Sequence, residues 1–303
     1  MSETARLEDE VIDLRKVASF FFKFKLVIFF CIMLCGVVGY FVSDIIPKKY
    51  TSFTVLMPNE SNENGLSGLT GQLGGFASLA GIDLSSGGNK TQVAIETMRS
   101  FHFFSTVLNT PKLKAELFAT KNWDKSENKL EFKRDLADKD GIWLLDEKGE
   151  SLEFSAQKAH RLFLKNNLVI FEDKKTGFVT VKVNHYSPYV AQKVVKLLVD
   201  SLNKIMREQE LKEVSQSIDY LYNQIAESNV SEIKSLLYQV IQKKVETGML
   251  AQVQKEFVFK VIEPSKIEEK HSSPKKVILL LGFMFLGFIL GSLVSLFLHK
   301  GNK

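Results

Sequence analysis

Residues 26–46 read LVIFFCIMLCGVVGYFVSDII, and this stretch decides the fold. No charge interrupts it before Asp44, and it is fenced by Lys25 on one side and Pro47, Lys48 and Lys49 on the other. At about 1.5 Å of rise per residue a helix of this length covers roughly 30 Å, the thickness of a bilayer's hydrocarbon core. A second run of the same kind, VILLLGFMFLGFILGSLVSLFL at residues 277–298, lies between Lys275-Lys276 and His299-Lys300. The sequence is thus that of a membrane protein with two transmembrane helices.

A cleaved signal peptide would also be apolar, but Glu3, Glu8, Asp9, Glu10 and Asp13 precede the first run and no small-x-small site follows it. The run therefore reads as a retained anchor. Arg15, Lys16, Lys23 and Lys25 stand before the first span against Lys48 and Lys49 after it, which places the N-terminus in the cytoplasm. Two spans return the other end to the same side, although Lys270, Lys275 and Lys276 weigh the opposite way. The expected organisation is a cytoplasmic tail at 1–25, spans at 26–46 and 277–298, a periplasmic domain at 47–276 and a cytoplasmic tail at 299–303. Those last five residues leave no room for a C-terminal signalling domain.

The intervening region is of single-domain size. It has no cysteine, since Cys31 and Cys35 both lie in the first span, so no disulfide staples it. The net charge of +5 has no basic run interleaved with aromatics, which argues against a nucleic-acid partner. Leu7, Val11, Leu14, Ala18 and Phe21 give the N-terminal tail an amphipathic helical spacing suited to the lipid interface. YTSFTVLMP at 50–58 predicts a strand. Eight of the chain's 18 glycines fall between Gly65 and Gly88, which predicts a loosely structured segment around a small apolar insert at 76–84.

Further along, 93–108 and 111–119 predict helices, the second opened by Pro111, and a polar stretch at 120–139 follows. A helix at 155–166 and strands at 168–171 and 178–184, joined by a turn at 173–177, complete an α+β unit. Ser187 and Pro188 supply a cap and a first-turn proline for a helix running to residue 227, roughly 60 Å long. Its outer part carries Leu211, Val214, Ile218, Leu221 and Ile225, spaced 3, 4, 3, 4 in a coiled-coil manner. A helix so long outreaches a base of this size. The stripe needs a partner, either a shorter return helix or the same helix of another subunit. Asn229 and Glu232 suggest a capping box for a return helix ending near Glu246 at Gly248, and KEFVFKVI at 255–262 predicts a last strand. The fold class expected is an α+β periplasmic domain with a membrane-proximal sheet and an elongated helical, coiled-coil-like arm.

Catalytic signatures are absent. His102, His160, His185, His271 and His299 are scattered without ligand spacing, there is no GxSxG, and Gly87-Gly88-Asn89-Lys90-Thr91 fails as a phosphate loop. Neither an enzyme nor a cofactor or metal site is expected. In the second span Gly287 and Gly291 form a GxxxG, with Gly282 a further turn back, which permits close helix approach or contact with a partner.

The order of these pieces resembles the Wzz-type chain-length determinants, polysaccharide co-polymerases of Gram-negative inner membranes. The resemblance runs from Ile12-Asp13-Leu14 with Lys23 and Lys25, through LGGFASLAGI at 73–82, residues 176–183, Ser187-Pro188, Ala191 and Asn203. It continues in Ser217-Ile218, Leu221, Met249-Leu250-Ala251, residues 257–262, Pro264 and Pro274-Lys275-Lys276. The segment before the second span has fewer prolines than that family carries, with Ile267, Glu268 and Lys270 in their place. The resemblance implies a non-catalytic homo-oligomer, a ring in that family, which sets O-antigen length in lipopolysaccharide together with a Wzy polymerase and the growing undecaprenyl-diphosphate-linked glycan. A regulator of enterobacterial common antigen or an exopolysaccharide would share these features. A two-span tether or sensor is the other alternative.

Overall fold

The computed structural model describes residues 24–59 and 90–301. The amphipathic tail, the glycine-rich segment with its insert, and most of the false phosphate loop lie outside them. The described residues form two compact units, residues 24–48 with 272–301, and residues 49–59 with 90–271.

In the first unit, α1 (Lys25–Ile45) and the last helix, Lys276–Gly301, are both long and apolar enough to cross a membrane. Each starts one residue earlier than the apolar run predicts, because the flanking lysine contributes a first-turn backbone group at no apolar cost.

The second unit is built on β1 (Tyr50–Pro58), which lies at the centre of a four-stranded antiparallel sheet. Two short helices follow it, α2 (Lys90–Arg99) and α3 (Phe101–Val107), where one was predicted. Ser100 causes the break: its hydroxyl accepts the Phe103 N–H as a cap, and an extended backbone at that residue cannot continue a helix. Helix α4 (Pro111–Lys114) passes into a π-helical turn (Ala115–Ala119). The polar stretch beyond it contains a hairpin of β2 (Thr120–Asp124) and β3 (Lys129–Phe132). Helix α5 (Ala156–Asn166), capped by Ser155, leads to β4 (Leu168–Glu172) and β5 (Val179–His185). Then come α6 (Pro188–Glu227), α7 (Ser231–Val253) and β6 (Phe259–Glu263). The membrane helix at the end is α8.

Sheet order is β4-β5-β1-β6. Strict alternation buries Ser52, Thr54 and Leu56 of β1 and Val179, Val181 and Val183 of β5 on one face. That face packs on the first half of α6, through Val194, Val195, Leu198 and Leu202, and on Met98, Phe104 and Phe163 of α2, α3 and α5. Both sheet edges are occupied by side chains. On β6 the Asn203 carboxamide accepts from the Val258 and Phe259 N–H groups and donates to the Phe259 carbonyl. On β4, Arg99 donates to the Ile170 carbonyl at 3.3 Å. Edges blocked in this way resist pairing with a stray strand.

Three predicted boundaries around the return helix move. Helix α7 runs on to Val253, and Gly248 lies inside it with no positive φ. Its start is capped by Val230 without any side-chain hydrogen bond, so the Asn229–Glu232 box does not form. The last strand begins at Phe259, four residues later than predicted.

Candidate functional site: the paired spans and the helical arm

Small residues let the two spans approach closely, and Gly287 and Gly291 sit at the contact. A β-carbon on Gly287 would lie 2.8 Å from the Cys31 carbonyl oxygen and 2.9 Å from the Ile32 Cα; one on Gly291 would lie 2.9 Å from the Ile28 Cα. Both meet backbone, which cannot yield as a side chain can, so only glycine fits. Gly282 has open space around it and takes no part in this contact. The first span answers with Gly39, where a β-carbon would meet Phe283 at 2.8 Å, and with a buried Ser43. Sequence reasoning singled out only the second span's glycines; the small-residue spacing Gly36, Gly39, Ser43 was the signal on the first.

At the loop-side end of the pair, Lys276 Nζ donates to Asp44 Oδ1 at 2.7 Å and stands 5.8 Å from the Tyr40 ring centroid. Lys275 is exposed, and its carbonyl accepts the Leu279 N–H in the first turn of α8. Pro274 is buried within this unit, whereas Pro264, in the other unit, is exposed.

On the arm, α7 folds back along α6 and covers part of the predicted stripe. Val214 and Ile225 are buried; Leu211, Ile218 and Leu221 are half-buried. The return helix is thus the partner of this stripe within one chain. Gly248 sits at a close approach of the two helices, where a β-carbon would come 3.1 Å from Val214 Cγ1. A shallow groove of about 300 Å³ runs between the helices, lined by Leu211, Val214, Ile218, Val245 and Met249 among others.

The base of the arm is fixed by His185, which is buried. Its Nδ1 accepts the Ser187 N–H at 3.0 Å, and its Nε2 donates to the Glu116 carbonyl at 2.8 Å, a carbonyl in the π-helical turn that also accepts from Thr120 Oγ1. Loss of hydration pushes the imidazole pKa down to about 4, more than the hydrogen bonds to Glu116 and Ser187 restore. A neutral ring is required here, because Nδ1 must stay unprotonated to accept. Lys193 reaches the Glu116 carboxylate at 2.8 Å and ties the same turn to α6. In the hairpin, Asp124 is held below the ordinary carboxylate range by the hydroxyl and backbone N–H of Ser126. His160 is engaged with the Arg99 carbonyl. Among the described residues no three His, Cys, Asp or Glu side chains come together as metal ligands. Each of these groups does a structural job, and none converges on another as an acid–base pair.

Residues 10–110 match the protein family Wzz, chain length determinant protein. No curated protein matches the chain. Among solved structures, a full-length bacterial polysaccharide co-polymerase aligns over 96% of this chain and 98% of that one, with 11% identity and a TM-score of 0.39. A fragment of WzzB, a polysaccharide co-polymerase from Salmonella Typhimurium, aligns over 75% of this chain and 100% of that one, with 12% identity and a TM-score of 0.29. The family match spans the first membrane helix, β1 and the helices up to residue 110, and the resemblance to the Wzz-type chain-length determinants holds. The chain is a two-span inner-membrane protein with a large periplasmic α+β domain between its spans.

Proposed function

We propose that this protein sets the length of O-antigen in lipopolysaccharide, acting as a non-catalytic oligomeric scaffold on a Wzy-type polymerase that extends an undecaprenyl-diphosphate-linked glycan. The observation that carries this reading is the match of residues 10–110 to the chain length determinant family. The site geometry supports it: tightly packed spans and a helical arm suit a scaffold. The domain organisation follows from the same reading, with tails 1–25 and 299–303 in the cytoplasm and residues 47–276 in the periplasm.

The mechanism we favour is restraint. A ring of copies holds the polymerase through the lipid-exposed faces of the spans or through the periplasmic domains, and limits how long one glycan stays engaged. Deleting the gene and separating the cell's lipopolysaccharide by gel should collapse the clustered long-chain bands into a stochastic ladder. An unchanged O-antigen pattern would sink the reading, and a change in common antigen or exopolysaccharide would reassign the polymer. Leucine at Gly287 and Gly291 should broaden the length distribution by forcing the spans apart. Gly282→Leu meets open space within the chain. A defect there with wild-type protein levels would place a partner, polymerase or second copy, against that position.

A further inference from the structure

Each span ends at the loop side in a charge that its own helix disfavours. Asp44 is in the last turn of α1, among carbonyls without intrahelical partners, and Lys276 opens α8, among N–H groups without intrahelical partners. The helix dipole favours the reverse at both places, a cation at the C-terminal end and an anion at the N-terminal end. Neither hydrophobic thickness nor capping calls for these residues. What they have in common is each other: their contact at 2.7 Å spans a sequence separation of 232 residues.

The contacts between the spans run antiparallel, from Ile28 with Gly291, through Cys35 with Gly287 and Gly39 with Phe283, to Asp44 with Lys276. The glycines close the middle and far end by shape. The ion pair closes the loop-side end by charge, near the headgroup depth where water screens less than in bulk.

We propose that the Asp44–Lys276 pair is a clasp that fixes where the chain leaves and re-enters the membrane, and that chain-length control depends on it. The functional half of this statement rests on the length-control reading above; the structural half does not. Both residues are positioning residues.

The test uses the full-length chain in a deletion strain, with Asp44→Ala, Lys276→Ala and the exchange variant Asp44→Lys with Lys276→Asp. The exchange restores the pair, puts each charge at the helix end that favours it, and keeps the number of loop-side lysines, moving one from the flank of the second span to that of the first. The two single variants shift the loop-side charge in opposite directions. One readout is the lipopolysaccharide ladder. The other is disulfide formation between Gly39→Cys and Phe283→Cys, whose β-carbons would stand 2.8 Å apart, so that the helices must ease by about 1 Å to reach disulfide geometry, with Cys31 and Cys35 replaced by Ala throughout. Both single variants should broaden the modal cluster and lower crosslinking several-fold, and the exchange should restore both. Wild-type behaviour of the single variants in both readouts overturns the clasp, as does an exchange variant as defective as they are at normal membrane levels. If gene deletion leaves the ladder unchanged, the length-control reading fails, and crosslinking alone decides whether the clasp exists.

Discussion

The two halves of α6 are one continuous helix with two different lives. Between Val190 and Asn203 it is buried by the sheet and by α2, α3 and α5, with Val194, Val195, Leu198 and Leu202 wholly inaccessible. Beyond Met206 only Val214 and Ile225 of this helix are buried, and among the described residues the main partner is α7, with Lys90 of α2 reaching Glu210 at 3.8 Å. Tyr220 and Tyr222 are exposed at 63% and 52%. Apolar spacing alone therefore does not make a core. Depth comes from the number of elements that converge, and among the described residues the outer half has mainly α7. Its stability is expected to be more local and its openings more frequent.

The largest contrast is expected from paired truncations. Leu202→Ala should destabilise the domain by about 2–5 kcal/mol, the range for a buried leucine in a core that cannot collapse around the void. Leu221→Ala, half-buried between two helices, should cost about 1 kcal/mol in proportion to the area it loses. Denaturant unfolding of the detergent-solubilised protein, followed by fluorescence of Trp123 and Trp143, would read both. Equal costs would erase the distinction between the halves.

Acid between about pH 6.5 and 4 should act at the base of the inner half, through His185. The His185 ring, with its pKa lowered to about 4, stays neutral in the fold, while the unfolded chain takes up the proton near pH 6.5. Between those values the unfolded state binds more protons. Stability from this group is thus complete above about 6.5 and is lost as pH falls toward 4, by about 3 kcal/mol in all. His185→Gln should remove that slope, and a slope that survives would assign it to other groups. Asn203→Leu comes next: it leaves the Val258 and Phe259 amides unpaired in a buried setting and should cost about 1–3 kcal/mol, read by faster amide exchange along β6.

Much of this contrast was legible in the sequence, and the exceptions have physical causes. The bounds of α6 follow from Ser187 as cap, Pro188 at the first position and an unbroken apolar period, and β1 is as predicted at 50–58. The β2–β3 hairpin was missed because TKNWD lacks an apolar alternation. It is anchored by Trp123, packed edge-on against Tyr50 at 5.4 Å and near Tyr189, and by Leu130 against the core, contacts that are distant in sequence. At the spans, the glycines were visible but their neighbours were not. Spacing cannot distinguish Gly287 and Gly291, which touch the first span, from Gly282, which does not. Lys276 was singled out as part of a pre-span segment, and its partner Asp44 could only be found by folding the chain. Gly248 was misread as a terminator because glycine usually ends helices through a positive φ, whereas here it serves a close approach.

That glycine gives the smallest and most discriminating effect. Within a helix, glycine costs about 1 kcal/mol relative to alanine through backbone entropy, so Gly248→Ala should gain up to that amount. Against the gain stands the new β-carbon, 3.1 Å from Val214 Cγ1, which must shift by a few tenths of an ångström. In the inner half such a shift would meet packed neighbours. At Val214 the neighbours border an open groove, and the methyl can turn into it. Gly248→Ala is accordingly expected to stabilise the arm by about 0.5 kcal/mol, seen as slower amide exchange in α7, and Val214→Ala with Gly248→Ala to show no strain between the two sites. A net loss would mean that the arm is packed as tightly as the base, and that its outer half is held by more than the return helix of the same chain.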